Sequence, residues 1–335
     1  MGILFFLSLI ILGLCILTFS SSRRICRRPG DYMSPTLGVL SKNREFHPTK
    51  ELLTAINKFN DLSGIFLSTH HIAPLIDRSA FDIFLGGQSL KQLGGIIPRI
   101  GFTQTEFGML CLSQFELMGI PTTLSAQALY NVRDKFRCHQ LLSCLPQVHI
   151  PTTALIKTSA LLDKVLRPFK FPMVIKIPTA TQGVGTILAS SPQSAQEIIE
   201  ALFLRYNDPI ILQEYLKPPS SDINRPIEDL RVLVVGDEIL GAMGRVAPPG
   251  QWRTNYAQGA LCKPARLTSE HEELVHQIVT RTGIEIAGVD LFPTDKGLVL
   301  LEVNACPGWK AFEQTFPHIK VAKKIIDYLL LKISS

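Results

Sequence analysis

Apolar residues along this chain follow two rhythms. Short apolar runs bounded by Gly, Pro, Asn or Asp alternate with stretches where apolar positions recur every three or four residues; the first pattern marks strands and the second helices. Strands are predicted at Thr36–Ser41, Leu62–Leu67, Phe81–Leu85 and Ile96–Gly101. Helices are predicted at Pro48–Phe59, with Leu52, Leu53 and Ile56 on one side, and at Thr105–Met118. Strands alternating with helices argue for a small α/β unit with a largely parallel sheet, ending near Tyr130.

A second unit opens with a helix at Arg133–Cys144, a strand at Thr152–Ile156 and a helix at Ser159–Arg167. Pro172–Pro178 reads as an apolar strand, Thr181–Gly185 as a glycine-rich turn and Thr186–Ala189 as the returning strand of a hairpin. Ser191 and Pro192 suit the cap and first position of the next helix. A third unit starts with a strand at Pro209–Tyr215. Asp229–Val235 and Ile239–Arg245 form a hairpin across Gly236-Asp237-Glu238, and a Pro/Gly-rich loop spans Ala247–Gln258. The helix at Thr268–Thr282 carries Glu270, Glu272 and Glu273 in its first turn and Arg281 in its last, the order its dipole favours. Strands at Ile286–Phe292 and Leu298–Val303 and an amphipathic helix at His318–Lys332 close the chain.

Ahead of these units, Ile3–Phe19 is a nearly unbroken apolar run of about 17 residues, just enough to cross a hydrocarbon core. Its basic residues, Arg23, Arg24, Arg27 and Arg28, follow it. That order suits a membrane anchor over residues 1–22, a basic linker over 23–35 and a cytoplasmic body. A start at Met33 would instead leave a wholly cytoplasmic chain. The formal charge of +6 is mild and partly concentrated in those arginines, which excludes a strongly basic nucleic-acid-binding body. Seven cysteines, an odd number with no Cys-x-x-Cys pair, suit a reduced compartment without structural zinc.

Glu302 and Asn304 are two apart on a predicted strand and share a face; Asp290 lies on the strand before. Such hard oxygen donors suit Mg²⁺ held with phosphates, and they equally suit solvated strand ends. Lys176 stands among Val174, Ile175 and Ile177 in an apolar strand. A lysine there either meets an anion or snorkels at a sheet edge. The adjoining turn, with Gln182, Gly183 and Gly185, has backbone N–H groups able to approach phosphates. Glu214 and Tyr215 end a strand where an adenine or ribose edge fits. Asp229 and Arg231 share a face, which an ordinary cross-strand ion pair equally explains. Arg253 and Asn255 sit on a loop, fit for anion contact or for nothing. Cys306 has no histidine near it in sequence and is not read as a nucleophile.

In order, Lys176 with T-Q-G-V-G, Q-E-Y, D-L-R, V-V-G-D-E, W-R-T-N, A-G-V-D and L-E-V-N-A-C-P-G resemble the ATP-grasp ligases, most closely the RimK type, over roughly residues 36–332. I-P-R-I-G at 97–101, S-Q-F-E-L-M-G at 113–119 and R-D-K at 133–135 extend the likeness. The resemblance implies a mixed α/β and α+β fold. A pre-ATP-grasp domain over 36–130 would precede an ATP-grasp fold of two subdomains, 131–207 and 208–335, with the transmembrane helix ahead of both. It implies ATP with two Mg²⁺ or Mn²⁺ ions. Lys135 and Lys176 would reach the phosphates, Glu214 and Tyr215 the adenine, and Asp229 would lie beside the nucleotide. Arg253, Thr254 and Asn255 would line the ATP and acyl-phosphate site, Arg253 and Asn255 acting with Lys176 in catalysis. Asp290, Glu302 and Asn304 would hold metal. The implied reaction joins L-glutamate to a carboxylate, either a protein C-terminus or a small molecule, through an acyl phosphate. Another amine, an amino-group carrier protein, a homo-oligomer and a non-catalytic membrane-tethered ATP-binding module stay open. The sequence departs from the family at the long 217–228 loop, at Arg245 with Pro248-Pro249, and at Cys306 where serine is usual.

Overall fold

β1 (Thr36–Ser41) has no solvated face: Leu37, Val39 and Leu40 are all inaccessible. A strand apolar on both sides needs cover on both. It lies at the centre of a parallel sheet with β2 (Ser63–Ser68) and β6 (Leu93–Arg99), in the order β2-β1-β6. One face packs on α1 (His47–Ile56), which buries Leu52, Leu53 and Ile56. The other packs on α2 (Thr105–Leu117) through Cys111, Leu112 and Phe115. Between β2 and β6 the chain makes a separate antiparallel sheet of β3 (Ile72–Asp77), β4 (Ala80–Leu85) and β5 (Gln88–Ser89). The expected strand at Phe81–Leu85 therefore sits outside the parallel sheet. Its partner β3 carries an internal proline and exposed Leu75 and Ile76, so it has no alternation to read.

The helix expected at Arg133–Cys144 is present over Lys135–Leu142, and a second helix, not expected from the sequence, directly precedes it. α3 (Ala126–Arg133) and α4 (Lys135–Leu142) meet at Asp134, whose backbone is extended (φ −91°, ψ 119°) and whose carboxylate accepts from Arg137 N at 2.8 Å. The break makes Lys135 the first residue of α4.

β7 (Thr153–Ile156), β8 (Met173–Lys176), β9 (Thr186–Ala189) and β10 (Ile210–Glu214) form an antiparallel sheet in the order β7-β10-β8-β9. The strand expected to open the third unit, β10, is thus an inner strand of the second. α5 (Leu162–Val165) and α6 (Pro192–Phe203) cover one face, burying Met173, Ile175, Ile199 and Leu212 together. The expected cap of α6 is a reciprocal box between Ser191 and Ser194.

The last sheet is antiparallel throughout: β11 (Glu228–Val235), β12 (Glu238–Val246), β13 (Leu261–Ala265), β14 (Ile286–Thr294) and β15 (Gly297–Asn304), in the order β13-β12-β11-β14-β15. Val232, Val234, Val289 and Leu291 face α7 (Ser269–Thr282). Gly283 ends α7 at φ +71°, a left-handed turn glycine adopts without penalty. Leu233, Val235 and Met243 face α8 (Lys310–Thr315) and α9 (Val321–Ser334), around inaccessible Trp309 and nearly inaccessible Phe312. α9 also packs on α1 and β6, so the two ends of the described unit share a core.

The computed structural model describes residues 35–78, 80–177, 185–217, 228–249, 254 and 259–335. The expected anchor, 1–22, and all but Pro35 of the linker lie outside them, as do Gln182, Gly183, Arg253 and Asn255. The membrane-anchored localisation is corrected here. Among the described residues no helix is long and apolar enough to cross a membrane. No described helix supplies such a span.

Candidate active site

β11 reads D-L-R-V-L-V-V from Asp229. On one face, Leu233 and Val235 join the core under α8 and α9, and further along the same face the pattern turns charged at Arg231 and Asp229. Register extends this charge across the sheet: Arg245 opposes Asp229, Arg231 opposes Asp290, and Asp290 opposes Glu302. The charges alternate and pair. Arg245 grips Asp229 with Nε at 2.7 Å and Nη2 at 2.6 Å, and its Nη2 also stands 3.0 Å from Asp290. Arg231 grips Asp290 in the same forked way, at 2.7 and 2.6 Å. Asp229, Arg245 and Asp290 are each at most 3 % exposed, so each charge depends on its partner. Burial works against the Arg245 charge; Asp290 and Asp229 outweigh it and hold the guanidinium above its usual range.

Glu302 follows a bulge. Pairing runs Asp290 with Glu302, then Leu291 with Leu300, leaving Leu301 as the extra residue. Asn304 shares Glu302's face, as its spacing predicted, and donates to Glu302 Oε1 at 3.0 Å. From the first turn of α4, Lys135 reaches Glu302 at 2.7 Å. Burial would raise the Glu302 carboxyl, but Lys135 overrides it and holds it well below the usual carboxylate range. Glu302 in turn raises Lys135.

Opposite lies the uncovered face of the four-stranded sheet, with Val174, Lys176, Ile211 and Gln213. Burial, reinforced by Lys135, lowers the Lys176 ammonium to about 8, with Glu302 opposing. It donates to Gln213 Oε1. Nearby His139 is pushed down to about 4 by burial and so is neutral. Glu214 Oε2 accepts from Thr152 N at 3.0 Å, and burial raises the Tyr215 hydroxyl. Gly185, at φ +75°, accepts from Ile177 N at 3.0 Å and closes the hairpin beside Lys176. Thr254 donates to Asp229 Oδ2 at 2.5 Å.

Lys135, Lys176, Glu214, Tyr215, Asp229, Thr254, Asp290, Glu302 and Asn304 all line one cleft of about 1170 Å³. That brings together every described candidate site residue except Gly185, which does not line it. The remaining four, Gln182, Gly183, Arg253 and Asn255, lie outside the described residues. Sequence reasoning left open the partners of Asp229 and Arg231, which are two separate cross-strand pairs. It passed over Gln213 and His139, and only register reveals the role of Arg245.

The acids fit a divalent cation. Asp290 and Glu302 offer carboxylates from opposed positions on β14 and β15, with an amide on the same face, an all-oxygen set of the kind Mg²⁺ takes. Among the described residues no three His, Cys, Asp or Glu side chains cluster as a metal site; a third oxygen would have to come from the Asn304 amide, whose nitrogen is committed to Glu302.

Comparison with known proteins agrees with this geometry. A family model described as a RimK-like ATP-grasp domain matches residues 132–329, and one described as a RimK PreATP-grasp domain matches 36–129. A probable alpha-L-glutamate ligase 2 of Shewanella baltica strain OS155 is 33 % identical over 299 residues, covering 88 % of this chain and 94 % of the relative. A probable alpha-L-glutamate ligase 1 of Shewanella oneidensis is 32 % identical over 294 residues, with the same coverage. Among solved structures, the ATP-grasp ligase PsnB complexed with minimal precursor superposes with a TM-score of 0.68 at 15 % identity, covering 89 % of this chain and 99 % of that one. The D-alanyl-alanine synthetase A of Vibrio cholerae gives 0.66 at 16 %, covering 90 % and 99 %. At these identities the structures show a shared fold.

Proposed function

The chain belongs to the RimK-like ATP-grasp family, and from that premise we propose that it joins L-glutamate to a carboxylate at the expense of ATP. It is an ATP-dependent ligase; the amine, the acceptor and the residue roles are our reading. The observation that carries the reading is the convergence of Lys176, Lys135, Asp290, Glu302 and Asn304 on one cleft.

In this reading the acceptor carboxylate attacks the terminal phosphorus of ATP, giving an acyl phosphate and ADP. The amine of glutamate then attacks the acyl carbon, and phosphate leaves. Lys176 and Lys135 face the phosphates and offset their charge as it moves. Asp290, Glu302 and Asn304 would hold Mg²⁺, which when bound would offset phosphate charge; two ions, and Mn²⁺ in place of Mg²⁺, belong to the same proposal. Arg245 keeps Asp229 and Asp290 ionised and aligned. Glu214 and Tyr215 take the adenine edge. In this reading Arg253, Thr254 and Asn255 serve the ATP and acyl-phosphate site, and Gln182, Gly183 and Gly185 serve nucleotide binding. The division into 36–130, 131–207 and 208–335 is part of this reading, with β10 contributing to the middle sheet.

The test is phosphate release by the purified chain with Mg-ATP, L-glutamate and a panel of peptide and small-molecule carboxylates, with mass spectrometry of products. Glutamate-dependent release with a glutamyl adduct is expected. Release with another amino acid and none with glutamate would overturn the amine; no release with any acceptor, despite ATP binding, would overturn the ligase.

A further inference from the structure

Among the described residues Lys176 meets no carboxylate directly; its ammonium donates to an amide oxygen, Gln213 Oε1. What sets that amide is visible one strand further on. Thr153 Oγ1 donates to Pro151 O at 2.7 Å. A carbonyl only accepts, and a hydroxyl has one proton, so Thr153 meets Gln213 as an acceptor. Gln213 Nε2 donates to it at 3.1 Å. With its nitrogen committed, the amide turns its oxygen to Lys176; flipped, it would present N–H groups to an ammonium that only donates. The two ends of the chain fix the same orientation independently.

The strands supply the alignment. Thr153 opposes Gln213 on β7 and β10, and Lys176 opposes Ile211 on β8 and β10, so the three side chains run diagonally across one face. Gln213 is 4 % exposed. The imidazole of His139 stands beside this row, with Nδ1 3.5 Å from Thr153 Oγ1 and Nε2 3.2 Å from Leu301 O.

We infer that Thr153 and Gln213 are positioning residues: Thr153 orients the Gln213 amide, and Gln213 holds the Lys176 ammonium toward a nucleotide's phosphates. The inference rests on the nucleotide reading of the cleft, and it is independent of which amine or acceptor is used.

The experiment is calorimetric binding of Mg-ATP, and separately of AMP, to the full chain and its variants. Thr153→Val should weaken Mg-ATP about tenfold, the scale of one charge-assisted hydrogen bond, and leave AMP within about twofold because its adenine contacts are elsewhere. Thr153→Ser should restore Mg-ATP binding. Gln213→Leu should match Thr153→Val, and the double variant should lose no more than the larger single loss, since both act through one group. Thermal melts confirm that each variant folds. Unchanged Mg-ATP affinity in Thr153→Val, equal loss of AMP and Mg-ATP, or no rescue by serine would each overturn the inference. A wild-type chain that binds Mg-ATP yet ligates nothing would overturn the ligase and leave this inference standing; one that binds no Mg-ATP would overturn both.

Discussion

Replacing Lys176 with methionine separates a lysine kept for a ligand from one kept for the fold. The ammonium falls from 10.5 to about 8 because it is buried. Each tenfold loss of proton affinity is about 1.4 kcal/mol, so holding the charged form in place costs the folded chain roughly 3 kcal/mol at pH 7. Lys176→Met removes that cost, keeps the apolar stem and leaves Gln213 Oε1 without its donor, a penalty of about 1 kcal/mol. A net gain of about 2 kcal/mol follows, or about 3 °C in melting temperature for a unit of this size. The pH dependence has a definite sign. Below pH 8 the lysine is protonated folded and unfolded, and the full cost is present. Between 8 and 10.5 the folded state releases its proton first, so wild type gains on the variant; above 10.5 the charge-burial advantage of the variant is gone. Thermal melts at pH 7, 8.5 and 10 read this directly, alongside Mg-ATP binding, which the variant should lose at least tenfold. A variant less stable than wild type at pH 7, or a stability gap indifferent to pH, would refute the reasoning.

Three further outcomes follow from the charged row. Arg245→Met leaves Asp229 buried with only Thr254 as a hydrogen-bond partner among the described residues and should cost about 3–5 kcal/mol in denaturant melts; Arg231→Met should cost less, because Arg245 still stands 3.0 Å from Asp290. Glu302→Gln should abolish measurable ligation and weaken Mn²⁺ binding in the presence of ADP, read by electron paramagnetic resonance. It should shift stability by only about 1 kcal/mol, since its partner Lys135 is 43 % exposed. In wild type, kcat/KM for ATP should fall as pH rises through about 8, because Lys176 then loses the charge that meets phosphate; Lys176→Arg should move that fall upward.

Much of this was legible where a local pattern states a local fact. Bounded apolar runs located β14 and β15, the Gly236-Asp237-Glu238 turn located β11 and β12, and the two-residue spacing of Glu302 and Asn304 put them on one face. Pairing was not legible, because register is set by packing far along the chain. Arg231 was therefore seen beside Asp229 with its true partner, Asp290, unnamed, and Arg245 looked like a weakened basic patch when it is the counterion of two buried acids. The hairpin of β3 and β4 was half missed because β3 exposes its apolar residues. The assignment of β10 to the last unit failed for a related reason: sequence order places it after α6, while hydrogen bonding inserts it between β7 and β8.

Two irregularities give the site its geometry, and neither belongs to a regular pattern. Were α3 and α4 one helix through Asp134, Lys135 would lie mid-helix with its position dictated by the helical repeat; the extended residue re-aims the chain so that Lys135 begins a new helix 2.7 Å from Glu302. Were β15 free of its bulge, Leu301 would oppose Leu291's neighbour and Glu302 would fall out of step with Asp290. The extra residue restores the step and leaves the Leu301 carbonyl facing His139 at 3.2 Å. A helix break and a strand bulge, each costly alone, are held by Asp134's cap on Arg137 and by the apolar partners of β15 in the core. The regular elements therefore supply the rigidity, and the convergence of acid, lysine and amide is set at the two points where regularity lapses.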